Sequence, residues 1–323
     1  MSLNKMTVLK NCVVLVLSLQ KRTLASSTNL VGNVMKEWTG KFEKANIPEP
    51  KSSIRNIMAH VMNNSKVDDL LADQDSELSE AQISSLNKLC ECRLARMPVQ
   101  YIIKEWDFRD LTLKMVPPVF IPRSETEELI DIIADKFATP PSRMIEIGSG
   151  TGAISIALLK QFPGLKGIAI DLSKHACDLT HENAVAHGVS NNLQIINTEI
   201  DNKGQIKNFP TELLKEKFDL IVSNPPYIPS LEIPKLQPEI SLYEDLKALD
   251  GGHDGLHVIK PICVFGSNHL KPDGSIFLET NHDHLEQIKG WLDVCKGHMK
   301  LKLEESYKDF NDKDRFVQLK LIK

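Results

Sequence analysis

A glycine-rich run is the first segment of this sequence whose residue types could do chemistry. It extends from Glu146 to Gly152, follows an apolar stretch and opens a helix-compatible one. Glycines permit a sharp turn and let a ligand approach the backbone closely. Asp171 ends the next apolar stretch, 23 residues after Gly148, where a carboxylate can bind both hydroxyls of a ribose. The predicted nucleoside-cofactor residues are Glu146, Gly148, Ser149, Gly150, Thr151, Gly152 and Asp171.

The identity of the nucleoside cofactor has two interpretations. Gly148, Gly150 and Ala153 also fit the dinucleotide fingerprint G-x-G-x-x-G/A, so a nicotinamide-dependent enzyme is one alternative. Glu146 and the additional Gly152 favour S-adenosyl-L-methionine, because in methyltransferases such an acid lies near the methionine amino end. A cofactor-binding protein without catalysis is a further alternative.

A second motif, Asn224-Pro225-Pro226-Tyr227, ends another apolar stretch. Two consecutive prolines cannot continue a strand, because neither has a backbone N–H group. The backbone carbonyls of this segment are therefore left as hydrogen-bond acceptors, and the proline rings hold them in a stiff geometry. The Asn224 oxygen and the Pro225 carbonyl could accept both hydrogens of a planar –NH2 group, and Tyr227 could stack on its plane. The predicted catalytic residues are therefore Asn224, Pro225 and Tyr227.

Methyl transfer to nitrogen is the chemistry that such a motif suits. The lone pair of a carboxamide or aromatic amine is delocalised, and acceptors on its hydrogens return electron density to nitrogen. Alignment with a sulfonium methyl group contributes an effective molarity of roughly 10⁵–10⁸ M. Acceptors placed where positive charge develops add an electrostatic contribution. No metal is needed, and the pairs His253/His257 and His282/His284 are predicted as surface loop residues.

The elements that must position both motifs form an alternating pattern from residue 143 onward. Alternation of strands and helices predicts a mainly parallel sheet covered on both faces, with the last two strands as a hairpin. The predicted strands are 144–147, 167–170, 193–197, 218–222, 275–279, 301–307 and 315–321. The predicted helices are 124–137, 153–161, 174–187, 255–269 and 285–294.

The preceding residues predict a separate small domain. Over 29–98, apolar residues recur at helical spacing and predict four helices, the third beginning near Val67. Ser79 and Gln82 have capping-box spacing at the start of the fourth helix. Residues 99–122 predict short β-strands, beginning with Val99 and Tyr101, and then a proline-rich connector.

The first residues and the charge distribution bear on localisation and partners. Residues 1–28 are basic, acid-free and hydroxyl-rich near their end, which is typical of a mitochondrial transit peptide; the apolar run 13–19 leaves a secretory signal as the alternative. Beyond residue 36 the chain carries 34 basic and 43 acidic side chains, a net charge of −9 that counts against nucleic acid. Six scattered cysteines predict free thiols in a reducing compartment.

Together with further segments, the two motifs establish a resemblance to a known family. Those segments are 97–102, 105–108, 117–123, 125–127, 248–252 and 254–256. Over roughly residues 30–323 the chain resembles the HemK/PrmC family of peptide-chain release factor glutamine N5-methyltransferases, in its mitochondrial form. The implied fold class is α/β: a class I (Rossmann-like) S-adenosylmethionine-dependent methyltransferase domain over 123–323, preceded by a helical-bundle domain that docks the substrate protein.

The resemblance also implies a substrate and residue roles. The substrate would be the glutamine of the Gly-Gly-Gln motif in mitochondrial release factors, modified in the mitochondrial matrix. Residues 224–227, which include Pro226, would hold that glutamine, with Phe120 and Arg123 over the pocket. Asn224 would also contact the cofactor, and Glu199 would lie near the adenine. Because adenine methyltransferases share Asn-Pro-Pro-Tyr, adenine in RNA or DNA is an alternative substrate, as is a ribosomal-protein glutamine.

A few positions depart from the family pattern. Ser124 replaces a proline, Thr280 and Asn281 replace an aliphatic residue and a glycine, and 312–315 replace Gly-Arg-Asp-Arg. None of these changes removes a group to which a chemical role is assigned. They concern the rim of the pocket.

Overall fold

A computed structural model describes residues 29–63 and 74–322, which form two compact units. One unit contains the described residues up to Lys104 together with Gln237–Tyr243, and the other contains Glu105–Leu236 and the residues from Glu244 onward. The predicted transit peptide at 1–28 and the predicted helix near Val67 lie outside the described residues.

In chain order, the α-helices of the described residues are α1 (Val31–Lys44), α2 (Pro50–Met62), α3 (Glu80–Leu94), α4 (Val99–Ile103), α5 (Glu125–Lys136), α6 (Ala153–Gln161), α7 (Lys174–Ala186), α8 (Pro238–Tyr243), α9 (Ile259–His269) and α10 (His284–Cys295). In this part of the chain, no helix combines the length and apolar character that crossing a bilayer requires.

The helical unit buries apolar helix faces, and a capping box begins α3. Trp38, Phe42 and Leu86 are among its buried side chains, as helical spacing predicts. The box confirms the prediction at α3: Ser79 N donates to Gln82 Oε1 over 2.9 Å, and Gln82 N donates to Ser79 Oγ over 3.3 Å.

The strand prediction for Val99 and Tyr101 is wrong, because these residues belong to α4. The amide nitrogens of Tyr101 and Ile102 both donate to Pro98 O over 3.1 Å, so the proline begins a helical turn. Burial of Val99, Tyr101 and Ile102 in the helical unit outweighs their β-propensity.

Helix α8 joins the helical unit although it lies far along the chain. Arg93 and Glu239 are 4% and 8% exposed and form an ion pair of 3.1 Å. Arg93 Nε also donates to Ser53 Oγ over 3.1 Å, and Tyr243 OH donates to Ala95 O over 2.6 Å. A buried arginine requires such partners, so the unit is assembled from two separate pieces of chain.

The described residues of the second unit form nine strands in two sheets. They are β1 (Glu105–Phe108), β2 (Leu111–Lys114), β3 (Arg143–Ile147), β4 (Lys166–Asp171), β5 (Leu193–Asn197), β6 (Phe218–Ser223), β7 (Leu270–Glu279), β8 (Leu301–Lys308) and β9 (Asp314–Leu321). Strands β1 and β2 form an antiparallel hairpin. The larger sheet has the order β5-β4-β3-β6-β7-β9-β8, parallel from β5 to β7 and antiparallel at β9 and β8. The predicted sheet and its terminal hairpin are therefore confirmed.

The strand order reverses between β3 and β6, which are neighbours although they are not consecutive. In open α/β sheets a ligand binds in the crevice that this reversal opens at the carboxyl ends of the strands. Both motifs follow strands at this point. The predicted helix over 255–269 begins later, at Ile259, because Gly252 and Gly255 adopt φ values of 82° and 73° that a helix does not allow.

Candidate active site

The glycine loop after β3 has one packed side and one open side. Gly148, Gly150 and Gly152 have φ values of 84°, 54° and 83°, so each uses the conformational freedom that glycine alone offers readily. A Cβ at Gly152 would lie 2.9 Å from Thr180 Cγ2, whereas one at Gly150 would meet nothing within 4 Å. The open side therefore has room for a ligand.

Two side chains of α7 fix the path of this loop. Thr180 Oγ1 donates to Gly150 O over 3.1 Å, and Asn183 Nδ2 donates to Thr151 O over 2.9 Å. Ser149 and Thr151 are themselves buried, and Ser149 Oγ lies 3.1 Å from Thr180 Oγ1. We therefore expect a ligand to meet the backbone of Ser149 and Thr151. The roles of Thr180 and Asn183 were not predicted, because neither belongs to a sequence motif.

Glu146 lies beneath the loop and is 1% exposed. Its Oε2 accepts hydrogen bonds from the N–H of Ser155, over 3.0 Å, and from the Ser155 hydroxyl. Ser155 is in the first turn of α6, so the carboxylate connects β3 to that helix across the loop. Burial raises the pKa of Glu146 to about 8. Proximity of Glu146 to the methionine end of a cofactor stays a prediction.

Asp171 is placed at the carboxyl end of β4 and faces the glycine loop. Its Oδ2 accepts from Gly150 N over 2.9 Å, and its Oδ1 accepts from Ser173 N over 2.8 Å. A carboxylate offers about four acceptor positions, so acceptors remain for the two hydroxyls of a ribose. Burial raises the pKa of Asp171. Next to it, Leu172 exposes 54% of its surface, an apolar side chain beside the predicted ribose position.

Glu199 follows β5, and its carboxylate forms an ion pair with Lys207. The neighbouring Thr198 donates its N–H to Asp171 O over 3.0 Å, so Glu199 is close to the Asp171 backbone. Asn197 Nδ2 also donates to Asp171 O and to Leu172 O, each over 2.9 Å. The structure thus brings Glu199 to the cofactor edge of the sheet with its charge already paired.

The second motif follows β6 and lies against the glycine loop. The Ser223 hydroxyl donates to Ile147 O, which ties the end of β6 to the end of β3. A Cβ at Gly148 would be 4.0 Å from Asn224 O. Sheet pairing alone therefore brings together the two motifs that the sequence separates.

Asn224 and Tyr227 are held by a buried carboxylate that was not predicted. Asn224 Nδ2 donates to Thr126 Oγ1 over 3.3 Å, and Thr126 Oγ1 donates to Glu279 Oε2 over 2.7 Å. Tyr227 OH donates to Glu279 Oε1 over 3.3 Å. Glu279 is 1% exposed at the end of β7, and burial raises its pKa to about 7. Its position at the end of an apolar strand is the signal that could have identified it.

The loop over 250–256 packs closely against the second motif. A Cβ at Gly251 would lie 2.8 Å from both Pro226 O and Tyr227 Cα, and one at Gly255 would lie 2.5 Å from Tyr227 O. The same Cβ would be 2.5 Å from His284 Nε2, and His284 is buried. The prediction of His284 as a surface residue is therefore wrong, because it packs behind this loop.

Phe120 and Arg123 lie together near Tyr227. The Arg123 guanidinium carbon is 4.5 Å from the centroid of the Phe120 ring, and Arg123 Nη2 donates to Glu244 Oε1 over 2.8 Å. Burial raises the pKa of Tyr227, and the charge of Arg123 is close enough to oppose that rise. The structure thus brings Phe120 and Arg123 to the neighbourhood of the second motif.

The fold and the site define a class. The sheet has the strand order of a class I methyltransferase, with a glycine loop after β3 and a carboxylate at the carboxyl end of β4. The open space at Gly150 and the remaining acceptors of Asp171 fit S-adenosyl-L-methionine.

Comparisons with known proteins narrow this class to a family. The model of the PrmC N-terminal domain matches residues 33–103, and that of the methyltransferase small domain matches residues 117–236. The MTRF1L release factor glutamine methyltransferase of Homo sapiens is 40% identical, over 92% of this chain and 88% of its own. A release factor glutamine methyltransferase of Caulobacter vibrioides is 31% identical, over 88% of this chain and 95% of its own. The chain belongs to the release factor glutamine methyltransferase family, and its cofactor is S-adenosyl-L-methionine.

A solved structure is similar at the level of the fold. The hMettl16 catalytic domain, in complex with the MAT2A 3'UTR hairpin 1, matches 82% of this chain and 91% of its own with a TM-score of 0.53. The two are 13% identical. This likeness confirms the methyltransferase fold.

Proposed function

We propose that this protein methylates the side-chain amide nitrogen of the glutamine in the Gly-Gly-Gln motif of peptide-chain release factors. The observation that carries the proposal is the placement of Asn224–Tyr227 directly against the glycine loop, where an amide nitrogen and a methyl donor can meet. The human relative that covers most of this chain, named as a release factor glutamine methyltransferase, supports the choice of substrate.

The residues of the second motif would orient and activate the amide. Asn224 Oδ1 and the Pro225 carbonyl accept its two hydrogens, and the Tyr227 ring packs on its plane. When bound, S-adenosyl-L-methionine supplies an electrophilic methyl group. The nitrogen–methyl bond would form as the sulfonium–methyl bond breaks, which would leave a neutral thioether. The acceptors would stabilise the positive charge that develops on nitrogen, and the methylated amide would then release one proton to water. Phe120 and Arg123 would form the rim through which the glutamine enters.

The cofactor residues divide between backbone and side chain. The backbone of Gly148–Gly152 would surround the methionine part, and Asp171 would accept from both ribose hydroxyls. Leu172 would lie against the base, with Glu199 nearby. These assignments follow from the open side of the loop and from the free acceptors of Asp171.

The location and the substrate-docking domain are part of the same proposal. Residues 1–28 would direct the protein to the mitochondrial matrix, and its substrates would be the release factors of that compartment. The basic, acid-free composition of 1–28 supports this proposal. Residues 29–98 would dock the substrate protein, residues 99–122 would connect the two domains, and residues 123–323 would catalyse the reaction. Import into isolated mitochondria, with and without 1–28, tests the location.

Mass spectrometry of a mitochondrial release factor tests the reaction. After incubation with S-adenosyl-L-methionine and this protein, the peptide that contains Gly-Gly-Gln is expected to gain one methyl group on its glutamine. A release factor in which that glutamine is replaced by alanine is the control and should stay unmodified. An unmodified wild-type peptide, with cofactor binding intact, would contradict the proposal and direct the search to ribosomal proteins and then to adenines.

A further inference from the structure

The direction in which the Asn224 amide points decides whether it can hold an amide substrate. Its oxygen accepts a hydrogen, whereas its –NH2 group can only donate. A reversed side chain would present donors to the donors of the glutamine. Something must therefore set this direction before the substrate arrives.

While Glu279 is ionised, the hydrogen-bond chain that starts from it has only one consistent direction. An ionised carboxylate can only accept, so the single hydroxyl hydrogen of Thr126 points to Glu279 Oε2, 2.7 Å away. The Thr126 oxygen is then left as an acceptor. Asn224 must present Nδ2 to it, at 3.3 Å, and Oδ1 faces away.

We propose that Glu279, acting through the Thr126 hydroxyl, is a positioning residue that directs Asn224 Oδ1 toward the substrate amide. This inference rests on the proposed function of Asn224. The same carboxylate accepts from Tyr227 OH over 3.3 Å, so one buried group orients both the acceptor and the ring that hold the substrate. The carboxylate is 1% exposed, and water therefore does not compete for these bonds.

Opposing influences from the surroundings of Glu279 place its pKa within the physiological pH range. Burial is the largest influence and raises its pKa, to about 7, and the charge of Glu125 on α5 acts in the same direction. Hydrogen bonds from Thr126 and Tyr227 and the charge of Arg315 on β9 oppose the rise. Below pH 7 a protonated Glu279 could donate to Thr126, which would allow Thr126 to donate to Asn224 Oδ1 and reverse the amide.

Three variants separate this positioning role from packing. Thr126→Val keeps the shape of the side chain but removes the hydroxyl, Thr126→Ser keeps the hydroxyl, and Glu279→Gln lets an amide present either a donor or an acceptor. We expect kcat for the release factor to fall about 10–100-fold in the valine and glutamine variants, as for loss of one preorganised polar contact, and to stay within about threefold in the serine variant. Cofactor affinity, measured by calorimetry, should stay within about twofold in all three, which also shows that they fold.

The pH profile gives a readout that packing would not change. In the wild-type protein kcat should fall as the pH decreases through about 7, and Glu279→Gln should lack this decrease. An unchanged profile in Glu279→Gln would overturn the proposal. A serine variant as slow as the valine variant would overturn it as well, because packing would then be the cause.

A measurement without substrate keeps this inference separate from the proposed function. With ¹⁵N-asparagine labelling, the side-chain amide signals that disappear in Asn224→Ala identify Asn224. These signals should shift in Thr126→Val and Glu279→Gln and stay in place in Thr126→Ser. Unchanged signals in all three variants would refute the positioning role of Glu279. If the wild-type protein leaves Gly-Gly-Gln unmodified while the signals shift as expected, the proposed substrate is wrong and the positioning role of Glu279 is supported.

Discussion

The two halves of the active-site edge are organised by different means. At the ends of β3 and β4, the backbone of the glycine loop and the carboxylate of Asp171 bind each other, and α7 supports them from nearby in the sequence. At the ends of β6 and β7, side chains from distant segments meet: Thr126 and Glu279 are 153 residues apart. The half proposed to bind the cofactor, called the cofactor half, is thus a local backbone structure. The half proposed to bind the substrate, called the substrate half, is a side-chain network that forms only when the sheet folds.

This difference indicates how each half should respond to change. Substitutions in the cofactor half should alter the affinity for S-adenosyl-L-methionine and leave the methyl-transfer step largely intact. Substitutions in the substrate half should alter the rate of that step, because their contacts orient the group that reacts. Each variant below tests whether this separation holds.

Asn224→Ala should have the largest effect. Loss of the Oδ1 acceptor removes both orientation and charge stabilisation, and we expect kcat to fall by about 10²–10³-fold. Cofactor affinity should change by less than about threefold, because the glycine loop and Asp171 remain. Single-turnover methylation of a release factor, together with calorimetric cofactor binding, measures both quantities. Full activity in this variant would remove Asn224 from the mechanism.

Asp171→Asn should show the opposite behaviour. The amide keeps the shape but loses the charge that accepts from Gly150 N and that would accept from the ribose, so the Kd for S-adenosyl-L-methionine should rise about 10–100-fold. At saturating cofactor, kcat should stay close to that of the wild-type protein. An unchanged Kd combined with a reduced kcat would contradict the division between the two halves.

Gly251→Ala tests the close packing of the 250–256 loop against the second motif. A Cβ there would lie 2.8 Å from Pro226 O and from Tyr227 Cα, so the motif must shift. We expect a loss of about 1–3 kcal/mol in the free energy of unfolding and a lower kcat, with cofactor affinity retained. The matched control is Gly290→Ala in α10, where a Cβ meets nothing within 4 Å. The control should gain up to about 1 kcal/mol, since alanine favours a helix; equal stabilities of the two variants would contradict the close packing.

Glu146→Gln should have the smallest effect on the methyl-transfer rate, and its main effect should be visible in the pH dependence of stability. The pKa of Glu146 is raised from 4.5 to about 8 in the folded state, so the folded protein binds a proton that the unfolded chain releases between these values. Wild-type stability should therefore fall as the pH rises from about 5 to 8, and the variant should lose up to about 1.4 kcal/mol per pH unit of this slope. Chemical denaturation at several pH values measures it. Glu279→Gln is the comparison, since the contribution of Glu279 to the pH dependence of wild-type stability ends near pH 7.

The contrast between the two halves also determines what the sequence could predict. The glycine loop, Asp171 and the Asn224–Tyr227 motif are recognisable because their spacing along the chain is dictated by one strand–loop unit each. The sheet was predictable from its alternation, including the terminal hairpin. Thr126, Thr180 and Glu279 were not, because their roles depend on which strands and helices become neighbours.

Local propensity misled the prediction where packing decided the outcome. Val99 and Tyr101 have strand-forming side chains, yet burial in the helical unit places them in α4. Gly255 was predicted to begin a helix, whereas its missing side chain, like that of Gly251, allows the loop to approach Tyr227. In both cases the deciding contact comes from residues distant in the sequence.

The ion pair between Arg93 and Glu239 limits how the protein can be dissected. A fragment that ends at Lys104 would contain α1 to α4 but not the carboxylate that neutralises a guanidinium only 4% exposed. Breaking a buried pair by removing one partner typically costs about 3–5 kcal/mol, a large share of the stability of a small domain. A fragment that begins at Glu105 would carry α8 without its arginine. Binding studies with either isolated fragment would therefore use a destabilised protein. A helical fragment to which residues 237–243 are covalently joined would keep the ion pair.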